Sequence, residues 1–541
     1  SQFHSPAQSE DQSNPTPADQ RKWRQRYEVN LLVDNSASHG APVIMENYPT
    51  YNNLLGRIEH EVVMGASRTD FTMIQPGALH QANGGYLILP ARDMLLNPYA
   101  WEGLKRVLRD GEIRMVELAN QVGLISTVTL EPEPIPRQVK IVLIGSPSLY
   151  YMLRSYDDDF IKLFKVRAEF ATQMDRTHEN EIEYGLFIKS VVVENHLLPF
   201  DNTAVARIIE HSSKLADDQT KLSTRFGKIA DLVREASYWA EKAGATQVKA
   251  SAVDQALKES AYRSNLVEER IQELINEGTL LIDVRGAFIG QINALSVYML
   301  GDYAFGRPTR VTAISYPGKG GIVDIERQAK LGGSLHTKGV LILSGYLNSY
   351  YGQNLPLSIS ASLTFEQSYD EVQGDSASAA ELIALLSSIA RVPICQNRAI
   401  TGSINQLGQI QAIGGVNEKI EGFFTVCKER GLSGEQGVII PHTNQRNLML
   451  SKEVLTAVKD GYFHIWAINN ADEAIPLLTG MPAGERQTDG TYPSNTFNKL
   501  VSDRFIEFNQ IVLAAAKNAP KLSENEQKEN KTEGEGINAT A

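Results

Sequence analysis

Two segments of the chain hold residue types that can do nucleophilic chemistry. The first is Glu371-Val-Gln-Gly-Asp-Ser-Ala-Ser-Ala-Ala-Glu-Leu-Ile-Ala-Leu-Leu386, where a Gly-Asp-Ser turn runs into an Ala/Leu-rich stretch of high helix propensity. Ser376 then sits at a helix N-terminus, where free backbone N–H groups and the helix dipole support an oxyanion. The plainer reading is a Ser or Asp N-cap. The second segment runs from Thr401 to Cys427. Gly414-Gly415 breaks a strand-like run, and a helix follows with Ile420, Phe423, Phe424 and Cys427 on one apolar face. Lys419 lies in its first turn, where a helix normally prefers acids. Like-sign potential and desolvation both lower the pKa of such a lysine, and a neutral lysine is a base able to deprotonate a serine. The plainer reading is a surface lysine whose stem lies along apolar neighbours. Neither segment decides the matter alone.

Other combinations have less behind them. His336 and His464 lie in no motif that would set them beside a serine as bases. Cys427, two turns beyond Lys419 on the apolar face, reads as packing. Cys395 and Cys427 are the only cysteines, too few for a disulfide framework or a structural zinc site, and a reducing cytosol is the natural compartment.

The elements that must position these residues belong to a long chain of 541 residues, enough for roughly three to four domains. Its net charge of −12 argues against gripping nucleic acid or an anionic membrane by bulk electrostatics. No apolar run approaches the ~18 residues of a membrane span. The chain opens at Ser1 without an initiator methionine or an apolar signal core, which is expected of a piece of something longer that is not secreted.

Residues 1–27 read as a disordered lead-in. Residues 28–175 alternate strands with helices, with buried strands at Gly85–Leu89 and Val139–Ile144 and a helix from Trp101 to Leu108 between them, the pattern of a parallel α/β layer. Residues 176–278 turn helical, with Val205, Ile208 and Ile209 on one face, Ile229, Leu232, Val233 and Ala236 on another, and Ser251 as an N-cap. From 279 to 482 the pattern is mixed again. Strands are expected at 292–299, 310–316, 339–344, 358–365, 437–441 and 463–468, and helices at 376–390 and 417–430. The tail, 483–541, is expected to be largely disordered, most clearly over 521–541, apart from one amphipathic helix carrying Phe505, Phe508 and Val512.

Together the two segments match a known arrangement. Gly374-Asp375-Ser376-Ala377-Ser378 resembles, residue for residue, the nucleophile turn of the B-type branch of the Lon proteases. The pattern Thr-Gly-Ser … Gly-Gly-Val-x-x-Lys-Ile-Glu, from Thr401 to Glu421, is similar too, as is the 43-residue interval between serine and lysine. Gly290-Gln-Ile-Asn-Ala-Leu-Ser-Val297 is similar to the strand by which that domain begins, so the resemblance covers about 280–480. It implies that Ser376 is the nucleophile, Lys419 its base, and Thr401 the hydroxyl that helps orient the lysine. It departs from the A-type pattern, with Asp375 where a proline precedes the serine and Gln373 where an aspartate stands three before it.

The N-terminal region resembles a degenerate AAA+ module of the kind found in C-type Lon-like proteases. Ala82-Asn-Gly-Gly-Tyr-Leu-Ile-Leu89 is similar to the strand that ends in the Walker B acids, but Pro90 and Ala91 stand in their place, and Asp93 comes three residues too late. Ser146 occupies the sensor-1 position where an Asn is usual, and Arg225 is either a sensor-2 arginine or a helix-surface residue. No Gly-x-x-x-x-Gly-Lys-Ser/Thr occurs in the chain. Gly318-Lys319-Gly320-Gly321 reads as a hairpin turn, and Thr279-Leu-Leu-Ile-Asp283 imitates a Walker B strand at the domain junction.

The expected protein is therefore α/β plus α: a degenerate AAA-like α/β domain, a helical lid subdomain, and a Lon-type Ser–Lys protease domain. The resemblance implies a homohexamer that degrades unfolded or loosely folded proteins, with no metal and no cofactor for peptide hydrolysis, and the cysteine usage makes a cytoplasmic location the expectation. ATP use stays open. The rival readings are an ATP-dependent protease whose phosphate loop lies upstream of Ser1, and an idle ring scaffold or chaperone.

Overall fold

The computed structural model describes residues 27–63, 66–116, 130–353 and 355–518. The lead-in expected over 1–27 (Tyr27 excepted) and the end expected to be disordered over 521–541 lie outside the described residues. The chain divides into two compact units, Ser1–Glu169 and Phe170–Ala541.

The first unit is built on three parallel strands, β1 (Val43–Met45), β2 (Tyr86–Pro90) and β3 (Lys140–Ile144), in that spatial order. Helices α1 (Ala91–Leu96) and α2 (Ala100–Asp110) carry the chain from β2 toward β3, as parallel neighbours require a crossover. Leu87 and Leu89 point to one face of the sheet and pack with Leu54, Leu79, Met94 and Leu104. Val43, Met45, Val142 and Ile144 are exposed. Helix α3 (Pro147–Tyr156) follows β3.

In the second unit a short strand pair, Gln173–Asp175 with Lys221–Ser223, accompanies helices α4 (His178–Glu194), α5 (Asn202–Ala216), α6 (Phe226–Lys242), α7 (Ala250–Tyr262) and α8 (Leu266–Asn276). The first four share a core of Tyr184, Ile208, Ile229, Val233, Ala236 and Val253. Ser251 is not the N-cap expected of it. Helix α7 begins at Ala250 after Lys249, and Thr203 Oγ1 from α5 accepts the Ala250 N–H at 3.1 Å. A neighbouring helix does the capping that sequence reading assigned locally.

A seven-stranded sheet follows, formed by β4 (Gln291–Leu300), β5 (Tyr303–Pro317), β6 (Gly321–Asp324), β7 (Ile359–Phe365), β8 (Arg398–Ile400), β9 (Gly437–Pro441) and β10 (His464–Ile468). Its order is β6-β7-β5-β4-β8-β9-β10. β5 runs antiparallel to both β4 and β7, and every other pair is parallel. Gly318–Gly321 therefore does not close a hairpin, because β7 lies between β5 and β6. No strand forms at Thr279–Asp283.

The run expected as a strand at 339–344 is part of helix α9 (Ser334–Tyr351). Val340, Leu343 and Leu347 are buried while Leu341 is exposed, a spacing of three and four that a short apolar run does not reveal. Helix α10 (Ser378–Ala390) is buried from Ser378 through Ser387 on every side, which accounts for its Ala/Leu composition. Helix α11 (Val416–Glu429) covers β5, with Val416, Ile420, Phe423, Phe424 and Cys427 buried. The tail helix exists as α12 (Phe497–Asn518), but it is no free amphipathic stretch. Phe497, Val501, Phe505 and Phe508 enter the same core as α10, so 483–518 is an ordered part of this unit instead of a largely disordered tail.

Candidate active site

Ser376 lies two residues before α10, on a turn that begins at Gly374 with φ +84°. Left-handed backbone there favours glycine. The residue that caps α10 is Ala377, so Ser376 is not spent as an N-cap. Its carbonyl accepts the Gly402 N–H at 2.8 Å, which ties the turn to the end of β8. The neighbouring Ser378 Oγ is buried and accepts the Ile404 N–H at 3.0 Å.

Lys419 Nζ lies 2.9 Å from Ser376 Oγ. The lysine is only 2% exposed. Burial pushes its pKa down to about 8, and nearby Asp375 opposes part of that shift. Two features of α11 aim it. Gly415, at φ +67°, starts the helix, and a Cβ there would sit 2.7 Å from Val297 Cγ2. Further along, Gly306 of β5 and Gly422 of α11 meet backbone to backbone. A Cβ on Gly306 would fall 2.0 Å from the Glu418 carbonyl oxygen, and one on Gly422 would fall 2.0 Å from the Gly306 carbonyl oxygen. The helix therefore rests directly on the strand, one turn from the lysine.

Thr401 follows β8 and is fully buried. Its Oγ1 donates to the Ser376 carbonyl at 3.2 Å and accepts from Lys419 Nζ at 3.1 Å. Its N–H donates to Ile439 on β9 at 3.0 Å. The three residues singled out in the sequence thus meet at one point. Sequence reading missed the supports: Gly306, Gly422, and buried Asn417, whose amide donates to the Asn447 carbonyl at 2.8 Å and whose oxygen accepts from Met449 N–H at 2.6 Å. A glycine inside a helical pattern was the available signal for Gly422.

The other candidates go elsewhere. His464 Nε2 bonds the Gly434 carbonyl at 2.8 Å. Cys427 is buried, and burial pushes its thiol pKa far up, so it packs. His336 lies among carboxylates, Asp324 and Glu381. In the first unit, β2 ends at Pro90, and Asp93 is exposed in the first turn of α1. Ser146 Oγ accepts the Leu149 N–H at 3.3 Å, an N-cap for α3. In the second unit, Arg225 is exposed just before α6.

A helix carrying a buried lysine, a serine turn and a threonine meeting at the carboxyl end of a sheet strand suit acyl transfer. Family comparison gives the class: residues 371–478 match the Lon protease (S16) C-terminal proteolytic domain, so the second unit carries a peptidase domain. Residues 39–171 match the LonB-like AAA domain, and residues 199–263 match the archaeal LonB AAA+ ATPase LID domain. A putative Lon protease homolog of Escherichia coli (strain K12) is 35% identical over 452 residues, covering 82% of this chain and 76% of the relative. One from Haemophilus influenzae is 32% identical, covering 81% and 72%. An archaeal Lon protease of Archaeoglobus fulgidus is 25% identical, covering 78% and 66%. The chain belongs to the Lon protease family.

Proposed function

We propose that this chain is a serine endopeptidase that works through a Ser376–Lys419 dyad on unfolded or loosely folded proteins, without hydrolysing ATP itself. The observation that carries the reading is the 2.9 Å approach of a buried Lys419 Nζ to Ser376 Oγ. Neutral Lys419 takes the Ser376 hydroxyl proton as Oγ attacks the scissile carbonyl carbon. The backbone N–H groups of Ser376 and Ala377, which donate to nothing among the described residues, are the candidate oxyanion donors. Collapse of the tetrahedral species breaks the C–N bond, and the Lys419 ammonium returns its proton to the leaving amine. Water, deprotonated by Lys419, then hydrolyses the acyl ester and restores Ser376. Thr401 accepts from Nζ and so holds it toward Oγ.

Energy independence is supported by Pro90 and Ala91 standing where the AAA acids are needed, and by the exposed position of Asp93 on α1. Assembly as a homohexamer, with sites facing an enclosed chamber, is part of the same proposal and rests on family likeness, while a cytoplasmic location rests on the cysteine usage. The test is degradation of fluorescent casein with and without ATP and magnesium, with Ser376→Ala as control. Cleavage without ATP that is lost in the variant is the expected result. Cleavage only with ATP would make the chain an ATP-driven protease, and none in either condition would make it a scaffold.

A further inference from the structure

Behind the α10 helix lies a second cluster of chemically capable side chains that the dyad does not use. Asp324 at the end of β6, Glu326 just after it, His336 on α9 and Glu381 on α10 are all buried. His336 Nε2 lies 3.3 Å from Asp324 Oδ1, and its other ring nitrogen faces Glu381 Oε1 at 3.7 Å. Glu326 Oε1 is fixed by two donors, Thr364 Oγ1 and the Phe365 N–H, each at 2.8 Å. The remaining oxygens, Asp324 Oδ2 and Glu326 Oε2, are buried with no hydrogen-bond partner.

The cluster holds more acid than base. Among the described residues no Lys or Arg reaches any of the three carboxylates within ion-pair distance, and His336 is the basic side chain beside them. Buried carboxylates need a partner cation or a proton. The side chains of Asp324, Glu326 and His336 each offer a ligand atom, and these atoms lie within 4.8 Å of one another. Bonds of about 2.1 Å to a common ion would put ligand atoms about 3–4 Å apart, and His336 Nε2 and Asp324 Oδ1 already stand 3.3 Å apart. Glu381 faces the far side of the imidazole, where a carboxylate orients a metal-bound histidine.

We propose that Asp324, Glu326 and His336 form a structural site for one divalent transition-metal cation, with Glu381 as the outer partner of the histidine. One imidazole with two carboxylates suits Zn2+ or Mn2+ better than Mg2+. The ion would staple β6 and the segment after it to α9, beside the helix that follows Ser376. This inference is independent of the dyad reading.

The full chain, stripped with EDTA and returned to chelator-free buffer, is incubated with Zn2+ or Mn2+ in separate samples. Metal retained after gel filtration is measured by mass spectrometry, and Tm by thermal unfolding. About one ion per chain and a Tm rise of about 5 °C are expected, both lost in Asp324→Asn and His336→Gln. Glu326→Gln should also lose the ion yet match or exceed the metal-free Tm of the native chain, because it removes a buried charge at nearly constant shape. Failure of the native chain to retain either ion, or retention by the variants equal to that of the native chain, overturns the site. If the variants do not fold, the content and Tm of the native chain decide.

Discussion

Two strands in two units reach the same kind of place with opposite contents. β2 of the N-terminal unit and β8 of the C-terminal unit each lie between two parallel neighbours, and each ends where parallel sheets gather their functional groups. Past β8 comes Thr401, buried and bonded to both Lys419 Nζ and the Ser376 carbonyl. β2 ends in Pro90 and passes to Ala91, which offer no charge and no proton. Burial follows the same division. The β9 strand beside β8 is buried at all five residues, whereas β3 beside β2 alternates, with Val142 and Ile144 exposed. On the reading proposed above the N-terminal unit keeps a frame without its chemistry, and function has to be read from the site in either unit.

The sharpest way to break this contrast is to empty the C-terminal site. Ser376→Ala should abolish casein cleavage, a loss of about 10³-fold or more, with Tm little changed. Lys419→Arg should be equally inactive, because a guanidinium cannot give up its proton to become the base. Retained cleavage in either variant, measured by fluorescent casein release, would place the chemistry elsewhere.

Next in size is the frame that aims the lysine. Gly422→Ala drives a methyl into the Gly306 carbonyl and must lift α11 off β5. A destabilisation of about 1–3 kcal/mol by chemical denaturation is expected, along with at least tenfold slower cleavage. Thr401→Val keeps the shape and removes the hydroxyl from Nζ. It should cost about 10- to 100-fold in kcat with KM little altered, and Thr401→Ser should recover most of it.

Spacing alone left the plainer readings standing; that Ser376, Lys419 and Thr401 lie together was legible through the resemblance of two short segments, a Gly-led turn and a Gly-led helix, to the Lon pattern. Supports set by long-range contact were not. Gly306 shows its purpose only when α11 lies on it, and Thr203 caps α7 from a neighbouring helix. The 339–344 run misled for a related reason, since four apolar residues in a row satisfy a strand or a buried helix equally. The tail helix was visible by its spacing, yet the space waiting for Phe505 and Phe508 beside α10 was not.

A smaller effect comes from pH. Burial lowers the Lys419 pKa to about 8, and the proposed base is its neutral form. Below that value the ammonium predominates and cleavage is suppressed, and above it the amine does and cleavage rises. The rate on a short unfolded peptide should therefore climb about tenfold from pH 7 to pH 9. A profile flat across that interval would contradict a lysine base, while a midpoint near 10 would mean that Lys419 is less desolvated in solution.

The smallest expected effect tests the other side of the comparison. If the N-terminal unit retains only the frame, the Asp93 carboxylate past β2 should not matter to peptide cleavage. Asp93 is exposed in the first turn of α1, where an acid suits the helix dipole and no chemistry need be invoked. Asp93→Asn should change the rate less than about twofold with or without ATP and magnesium, because neutralising one dipole contact costs only about 0.3–1 kcal/mol of local stability. Inorganic phosphate release, followed beside casein cleavage, separates the two meanings of a larger response. Phosphate release lost in Asp93→Asn would give that residue the role of the missing acids and erase the contrast between β2 and β8. A nucleotide effect that survives the substitution would place any phosphate chemistry outside this strand end, leaving the contrast intact.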